Sequence, residues 1–295
     1  MKTISEPAVP VASAAPRPAA PAQRAQADVT EYGLRRILII AGVMMAALMQ
    51  TLDSTITNVA LPTIQGNLGA SQDEGTWVIT AYVIAAIVII PLTPWLQNRF
   101  GRRNYFIVSI VGFTLASIVC GTSESLGTLI LARAVQGAFG GGLLATGQSI
   151  MRDTFPPSQL AASQGIFALG AIMGPALGPP LGGYLVDNFS WNWCFEINVV
   201  PGIFSAIVLF LLLRDPNKAD NRTPIDGVGL ALLAIGLAGA QYILTEGEQN
   251  DWLNDPTIAS IVAVSALALG AFVWWELTQT DNPVVDLRIL KNRSV

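Results

Sequence analysis

Three observations predict an all-α integral membrane protein. Eight apolar runs of about twenty residues can be drawn along the chain, each long enough to cross a hydrocarbon core of about 30 Å. The composition agrees: 52% of residues are hydrophobic and 12% charged, with mean hydropathy +0.52, whereas soluble domains carry about twice that charged fraction. The basic residues are also sorted by side. Of the 16 Lys and Arg, all but Arg133 lie in the N-terminal tail, in alternate breaks between runs, or in the C-terminal tail. Basic loops stay in the cytoplasm, so this sorting predicts a multi-pass protein with both termini cytoplasmic.

The spans are read at about 35–61, 75–95, 105–122, 126–150, 161–186, 197–213, 226–244 and 257–276. Arg35 and Arg36 precede the first. The break from Pro62 to Glu74 carries only acids, and the next carries Arg99, Arg102 and Arg103. Thr122 to Ser125 holds Glu124 alone, and the fourth break has Arg152. Asp187 to Glu196 has no base, whereas the sixth break has Arg214, Lys218 and Arg222. Thr245 to Pro256 holds acids only, and Arg288, Lys291 and Arg293 close the chain. The tryptophans fall at or beyond span ends, the interfacial position that indole favours. Strands are excluded on length, because a membrane barrel shows alternating segments of about ten residues.

This gives a domain plan. Residues 1–33, rich in Pro and Ala, form a disordered cytosolic tail. Residues 34–213 hold six spans, 214–225 a cytoplasmic linker, 226–276 two more spans, and 277–295 a cytoplasmic tail. There is no histidine, and Cys120 and Cys194 form no CxxC. A zinc or haem site and a His-based catalytic triad are therefore not expected, and the chain reads as a non-enzyme. No basic stripe suits a nucleic acid.

Two charges lie inside spans and need a reason. Asp53 is the only acid well inside one, and an unpaired charge there costs a few kcal/mol on the mildest insertion scale. Gln50, Asp53 and Thr57 stand at i, i+3 and i+7, one helical face, which predicts a polar stripe facing a cavity. Arg133 is the only base inside a span. Counted from their outer ends, Asp53 and Arg133 both lie about 10–12 Å deep, so they can pair, as a proton-tuning couple or as a static ion pair. In the fifth span Gly170, Gly174, Gly178 and Gly182 recur every four residues, with Gly183 beside the last. They form a groove for close helix packing, and Pro175, Pro179 and Pro180 are expected to bend this helix.

Four stretches resemble the N-terminal part of EmrB/QacA-type drug:proton antiporters, the fourteen-span branch of the major facilitator superfamily. They are Leu52-Asp53-Ser54-Thr55-Ile56-Thr57-Asn58-Val59-Ala60-Leu61-Pro62, Leu131-Ala132-Arg133-Ala134-Val135-Gln136-Gly137, Gly174-Pro175-Ala176-Leu177-Gly178-Pro179-Pro180-Leu181-Gly182-Gly183 and Arg99-Phe100-Gly101-Arg102-Arg103. The resemblance implies a major facilitator-type six-helix N-terminal bundle over 34–213, two accessory transmembrane helices over 226–276 and, at 277–295, a lead-in to a missing C-terminal bundle. It also implies export of hydrophobic, often cationic compounds in exchange for protons, driven by the gradient without a cofactor. Asp53 and Arg133 would couple proton to substrate, while Gln50, Thr57, Asn58 and Gln136 would line the path. The glycine motif would stop proton leak, and the loop Asn98, Arg99, Gly101, Arg102 and Arg103 would gate the cytoplasmic side.

The resemblance also implies a bacterial inner membrane, contact with lipid, a periplasmic adaptor and an outer-membrane channel. The chain departs from the pattern at Pro94 and Asn98, where the family has Gly and an Asp that latches the inward-closed state. It departs again at Trp191-Asn192-Trp193, where the family has Trp-Arg-Trp. With eight spans of fourteen, the chain also reads as a truncated form in which the glycine groove has lost its partner. A second reading follows: a non-transporting membrane fragment, or a helix-packing partner that oligomerises through that groove.

Overall fold

The structure, a computed structural model, describes residues 33–214, 226–248 and 252–278. Most of the N-terminal tail and linker, and the C-terminal lead-in, lie outside the described residues, as do Lys218, Arg222, Arg288, Lys291 and Arg293. The described residues fold into helices and hold no strand. In chain order these are α1 (Leu34–Leu68), α2 (Gln72–Phe100), α3 (Arg102–Gly121), α4 (Leu126–Gly140), α5 (Leu143–Thr154), α6 (Leu160–Asn188), α7 (Trp193–Glu196), α8 (Val199–Leu212), α9 (Gly227–Glu246) and α10 (Pro256–Thr278). Among the described residues, eight segments are long and apolar enough to cross a membrane: α4 with α5 makes the fourth and α7 with α8 the sixth.

Local chemistry sets several boundaries. Ser71 starts α2 with a reciprocal cap: its hydroxyl accepts from Glu74 N, and Glu74 Oε2 accepts from Ser71 N at 2.9 Å. Such a box satisfies two of the N–H groups that a helix start leaves open. Ser125 caps α4 through Thr128 N at 3.3 Å. Asp255 caps α10, and the backbone N–H groups of Ile258 and Thr257 hold its carboxyl below the usual range. Gly69 ends α1 in the left-handed conformation, φ 63°, with its N–H on the Gln65 carbonyl.

The structure corrects three expected edges. The first break does not begin at Pro62. Proline's fixed φ suits a helix and removes one hydrogen bond, so α1 runs through it to Leu68. Likewise α2 passes Pro91 and Pro94 and reaches Phe100, which shrinks the expected loop to Gly101 at φ 83°. The fourth span is broken at Gly141 and Gly142. Both glycines are crowded from the side: a Cβ at Gly141 would stand 3.0 Å from Ala86 Cα, and one at Gly142 would meet the Tyr105 ring.

The helices pack in a chain of neighbours. α6 lies on α1, α1 on α8, α8 on α3, α3 on α4, and α4 on α2; contacts of α2 with α1 close the bundle. The accessory pair α9 and α10 pack on each other, and α9 leans on α2, where Trp77 meets Tyr242 with ring centroids 5.7 Å apart. The core divides into two clusters. One, toward the Arg-rich end, includes Val43, Met49, Phe106, Ile110, Phe113 and Leu209. The other, toward the acidic end, includes Leu52, Ile56, Val78, Cys120, Leu129 and Phe195.

The expectation of an unpartnered glycine groove is overturned. Gly170, Gly174, Gly178 and Gly182 are all buried, and α1 of the same bundle fills the groove. Added Cβ atoms would meet Met44 at Gly170, Leu52 N at 2.6 Å at Gly174, Thr55 at Gly178 and Ile56 at Gly182. Thr55 Oγ1 also donates to the Gly174 carbonyl at 3.4 Å. The groove is therefore not a free face for a second copy. Pro175, Pro179 and Pro180 stand on the exposed side of α6, which remains one continuous helix through all three.

Gly174→Leu should lower the thermal midpoint of the detergent-purified protein or prevent folding, because overpacking costs about 1–3 kcal/mol even where side chains can yield, and here backbone is in the way. Gly183→Ala, with nothing within 4 Å of its added Cβ, should stay within about 0.5 kcal/mol of the parent.

Candidate functional site: a buried ion pair between the two core clusters

The seam between the two apolar clusters is polar. Asp53 (0% exposed) and Arg133 (1%) meet there, with Arg133 Nη1 2.6 Å from Asp53 Oδ2. Gln136 donates from Nε2 to Asp53 Oδ1 at 2.9 Å and accepts Arg133 Nη1 on Oε1 at 2.7 Å. Asn198 Nδ2 donates to Asp53 Oδ1 at 2.8 Å and to Ser117 Oγ at 3.0 Å. Arg133 Nε is held by the Val78 carbonyl at 3.1 Å, and its guanidinium carbon lies 4.2 Å from the centre of the Tyr82 ring. Cys120 Sγ touches Gln136 Oε1 at 3.5 Å.

Helical spacing explains the convergence. Arg133 and Gln136 stand at i and i+3 on α4, so they share a face. That face can reach α2 because Gly137 removes the side chain between them: a Cβ there would lie 2.9 Å from the carbonyl carbon of Tyr82. Asp53 comes from α1, Ser117 from α3, and Asn198 from the corner between α7 and α8. An ionised carboxylate only accepts and a guanidinium only donates, and each finds partners here in keeping with those roles.

The expected residues are distributed unevenly. Asp53, Arg133 and Gln136 come together. Thr57 is buried beside them, yet its hydroxyl donates to the Asp53 backbone carbonyl at 2.7 Å, not to the carboxylate. Gln50 is half-buried. Asn58 is exposed. The stripe expected to face a cavity is thus corrected. Asp53 and Thr57 point into the bundle, and the more open face of α1 carries Gln50, Ser54 and Asn58, at i, i+4 and i+8. Sequence reasoning missed Asn198, Ser117 and Tyr82. Asn198 sits just inside the start of the sixth apolar run, where a neutral amide attracts no notice.

At the Arg-rich end, Gly101 joins α2 to α3. Arg102 pairs with Asp153. Arg103 donates to the Phe210 carbonyl at 2.5 Å and lies over that residue's ring. Arg35 donates to the Leu212 carbonyl at 2.8 and 3.2 Å. Asn98 and Arg99 are exposed at the end of α2. Asn192, the departure from Trp-Arg-Trp, donates to the Gly121 carbonyl at 2.6 Å.

Residues 43–281 match the family model of the Major Facilitator Superfamily. The chain belongs to that superfamily. Among curated relatives it is 40% identical over 262 residues to the multidrug export protein EmrB of Escherichia coli (strain K12), covering 89% of this chain and 51% of EmrB. It is 41% identical over 250 residues to the probable multidrug resistance protein EmrY of the same organism, covering 85% and 49%. With the fatty acid resistance protein FarB of Neisseria gonorrhoeae it shares 38% over 250 residues, covering 85% and 49%. The matched part of EmrB is its N-terminal part, and the chain spans about half the length of these relatives. In fold it resembles the peptide transporter POT crystallised with sulfate, at TM-score 0.62 and 16% identity over 91% of this chain and 58% of that one. As a facilitator-superfamily chain with eight apolar membrane-length segments among its described residues, it is a multi-pass membrane protein.

Removing one member of a buried pair leaves the other charge uncompensated, at about 3–5 kcal/mol. Arg133→Gln and Asp53→Asn should each lower unfolding stability in detergent by that order. The double variant should recover much of the loss, as a double-mutant cycle would measure.

Proposed function

We propose that the chain forms the N-terminal part of a bacterial inner-membrane multidrug efflux permease that exports hydrophobic, often cationic compounds in exchange for protons. The observation that carries this is the buried Asp53–Arg133 pair in a membrane-embedded seam. An intramembrane carboxylate marks proton or substrate paths by default. The similarity to EmrB and EmrY supports the drug-export half of the reading, and the sorting of basic residues supports cytoplasmic termini.

In this mechanism Asp53 alternates between charged and protonated forms. In the charged form it holds Arg133, Gln136 and Asn198 together. A proton arriving from the outer side neutralises the carboxylate, weakens its hold on Arg133, and lets the bundle change conformation and release substrate. Loss of the proton to the cytoplasm restores the pair. One proton moving inward contributes about 2.3 kcal/mol per 100 mV, so the gradient drives the cycle and no cofactor takes part. The glycine seam between α1 and α6 excludes water beside the pair and limits proton leak. The joint at Gly101, with the flanking Asn98, Arg99, Arg102 and Arg103 and the Arg102–Asp153 link, gates the cytoplasmic end. Partners are amphiphilic small molecules and lipid, and, by likeness to EmrB, a periplasmic adaptor and an outer-membrane channel.

Drug-stimulated proton flux in proteoliposomes tests the reading, on this chain and on a version extended to the length of its relatives. Asp53→Asn should abolish the flux, while Asp53→Glu, which keeps a carboxyl, should retain a measurable part. Drug resistance unchanged in Asp53→Asn would overturn the assignment.

A further inference from the structure

Asn198 does more than complete the seam. It is fully buried at the corner before α8, fixed by its own backbone N–H on the Phe195 carbonyl at 3.2 Å and by its carbonyl accepting from Gly202 N at 3.0 Å. Its amide nitrogen uses both hydrogens, on Asp53 Oδ1 and on Ser117 Oγ. Ser117 passes its own hydrogen to the Phe195 carbonyl at 2.8 Å. The amide oxygen, by contrast, is buried without a partner among the described residues. A buried acceptor left empty is unfavourable and calls for an explanation.

We infer that Asn198 is a positioning residue that reads the charge of Asp53 by turning its amide over. While Asp53 is a carboxylate, the nitrogen faces it. When a proton from solvent adds to a lone pair of Asp53 Oδ1, that oxygen becomes an O–H donor facing another donor. A half turn about the Asn198 Cβ–Cγ bond brings the unused oxygen to accept from it. Ser117 loses the N–H that it was accepting and turns its hydroxyl hydrogen to the same amide oxygen, so it leaves the Phe195 carbonyl. One O–H bond forms on Asp53, no protein bond breaks, and the tie between α3 and the α7–α8 corner changes.

The other neighbours of Asp53 cannot play this part. The titratable or charged groups facing it are Arg133 from α4, Tyr82 from α2, Cys120 from α3 and Cys194 from α7. Arg133 has no acceptor at all. Gln136 is pinned in one orientation because its Oε1 already takes Arg133 and Cys120. Of the two amides on the carboxylate, only Asn198 holds a free oxygen.

The inference rests on the reading that Asp53 takes up a proton, and one experiment separates the two. Infrared difference spectra of this chain in lipid nanodiscs are taken across a pH titration, with asparagine ¹³C-labelled at the side-chain carbonyl. The expected result is a protonated-carboxyl band, absent in Asp53→Asn, and a shift of one labelled amide band with the same midpoint, absent in Asn198→Ala. Asn198→Ser serves the same assignment if the alanine variant does not fold. A carboxyl that titrates while the amide band stays still would overturn the role of Asn198 and leave the proton reading intact. A titration with no Asp53 carboxyl band would overturn both.

Discussion

A carboxylate and a guanidinium in an apolar seam are tolerable only together, and only if their remaining hydrogen-bonding groups are also engaged. That constraint organises this bundle. Asp53 Oδ1 accepts from two amides and Oδ2 from Arg133, and the Arg133 Nε needs a backbone carbonyl of a third helix. These bonds draw on α4, α2 and the α7–α8 corner, so α1, α2, α4 and that corner are registered against one another by a single polar cluster. The apolar clusters above and below give affinity without direction, since hydrophobic burial is non-directional. The polar seam supplies the direction.

Such a seam requires backbones that approach closely, and glycine makes that possible in two places. Gly137 on α4 and Gly141 just past its end lie against the backbone of α2 at Tyr82 and Ala86, which brings Arg133 within reach of the Val78 carbonyl. On α6, the four-residue glycine row lets α1 lie flush, with Thr55 bonding across to Gly174. In a membrane, where lipid is as apolar as the helix surface, this close van der Waals contact is a main source of helix association. The two glycine rows therefore hold the two charged helices, α1 and α4, against different neighbours. The ion pair is the bridge between the two halves of the bundle.

Much of this was legible in the residues, for identifiable reasons. Apolar length reports directly on the bilayer, so the eight spans seen among the described residues followed. Asp53 and Arg133 stood out because charge inside an apolar run is rare and costly. Asn198 and Ser117 did not, because neutral polar residues occur in spans for many reasons and only the fold brings residue 198 to residue 53. The ends of the first two spans, read at 61 and 95, fall short of the observed Leu68 and Phe100; at Pro62 proline disfavours a helix interior in water, while inside a bundle it costs one hydrogen bond that packing offsets. The groove on α6 was recognised as a packing face, but periodicity along one helix cannot say which helix fills it, and α1 does.

The two ends of α8 link the site to the Arg-rich surface. At its start, Asn198 holds the Asp53 carboxylate. At its end, Arg35 and Arg103 donate to the Leu212 and Phe210 carbonyls, the terminal acceptors that a helix leaves open, where positive charge also suits the helix dipole. Arg35 belongs to the start of α1, and Arg103 stands two residues past Gly101, the joint between α2 and α3. A helix of 14 residues, about 21 Å long at 1.5 Å per residue, thus ties the carboxylate to the basic loop through hydrogen bonds at both ends. Any rearrangement that releases Asn198 from Asp53 acts on an element whose far end is held by the first helix and by the first turn of α3. The site and the basic loop are therefore mechanically joined without sharing a side chain.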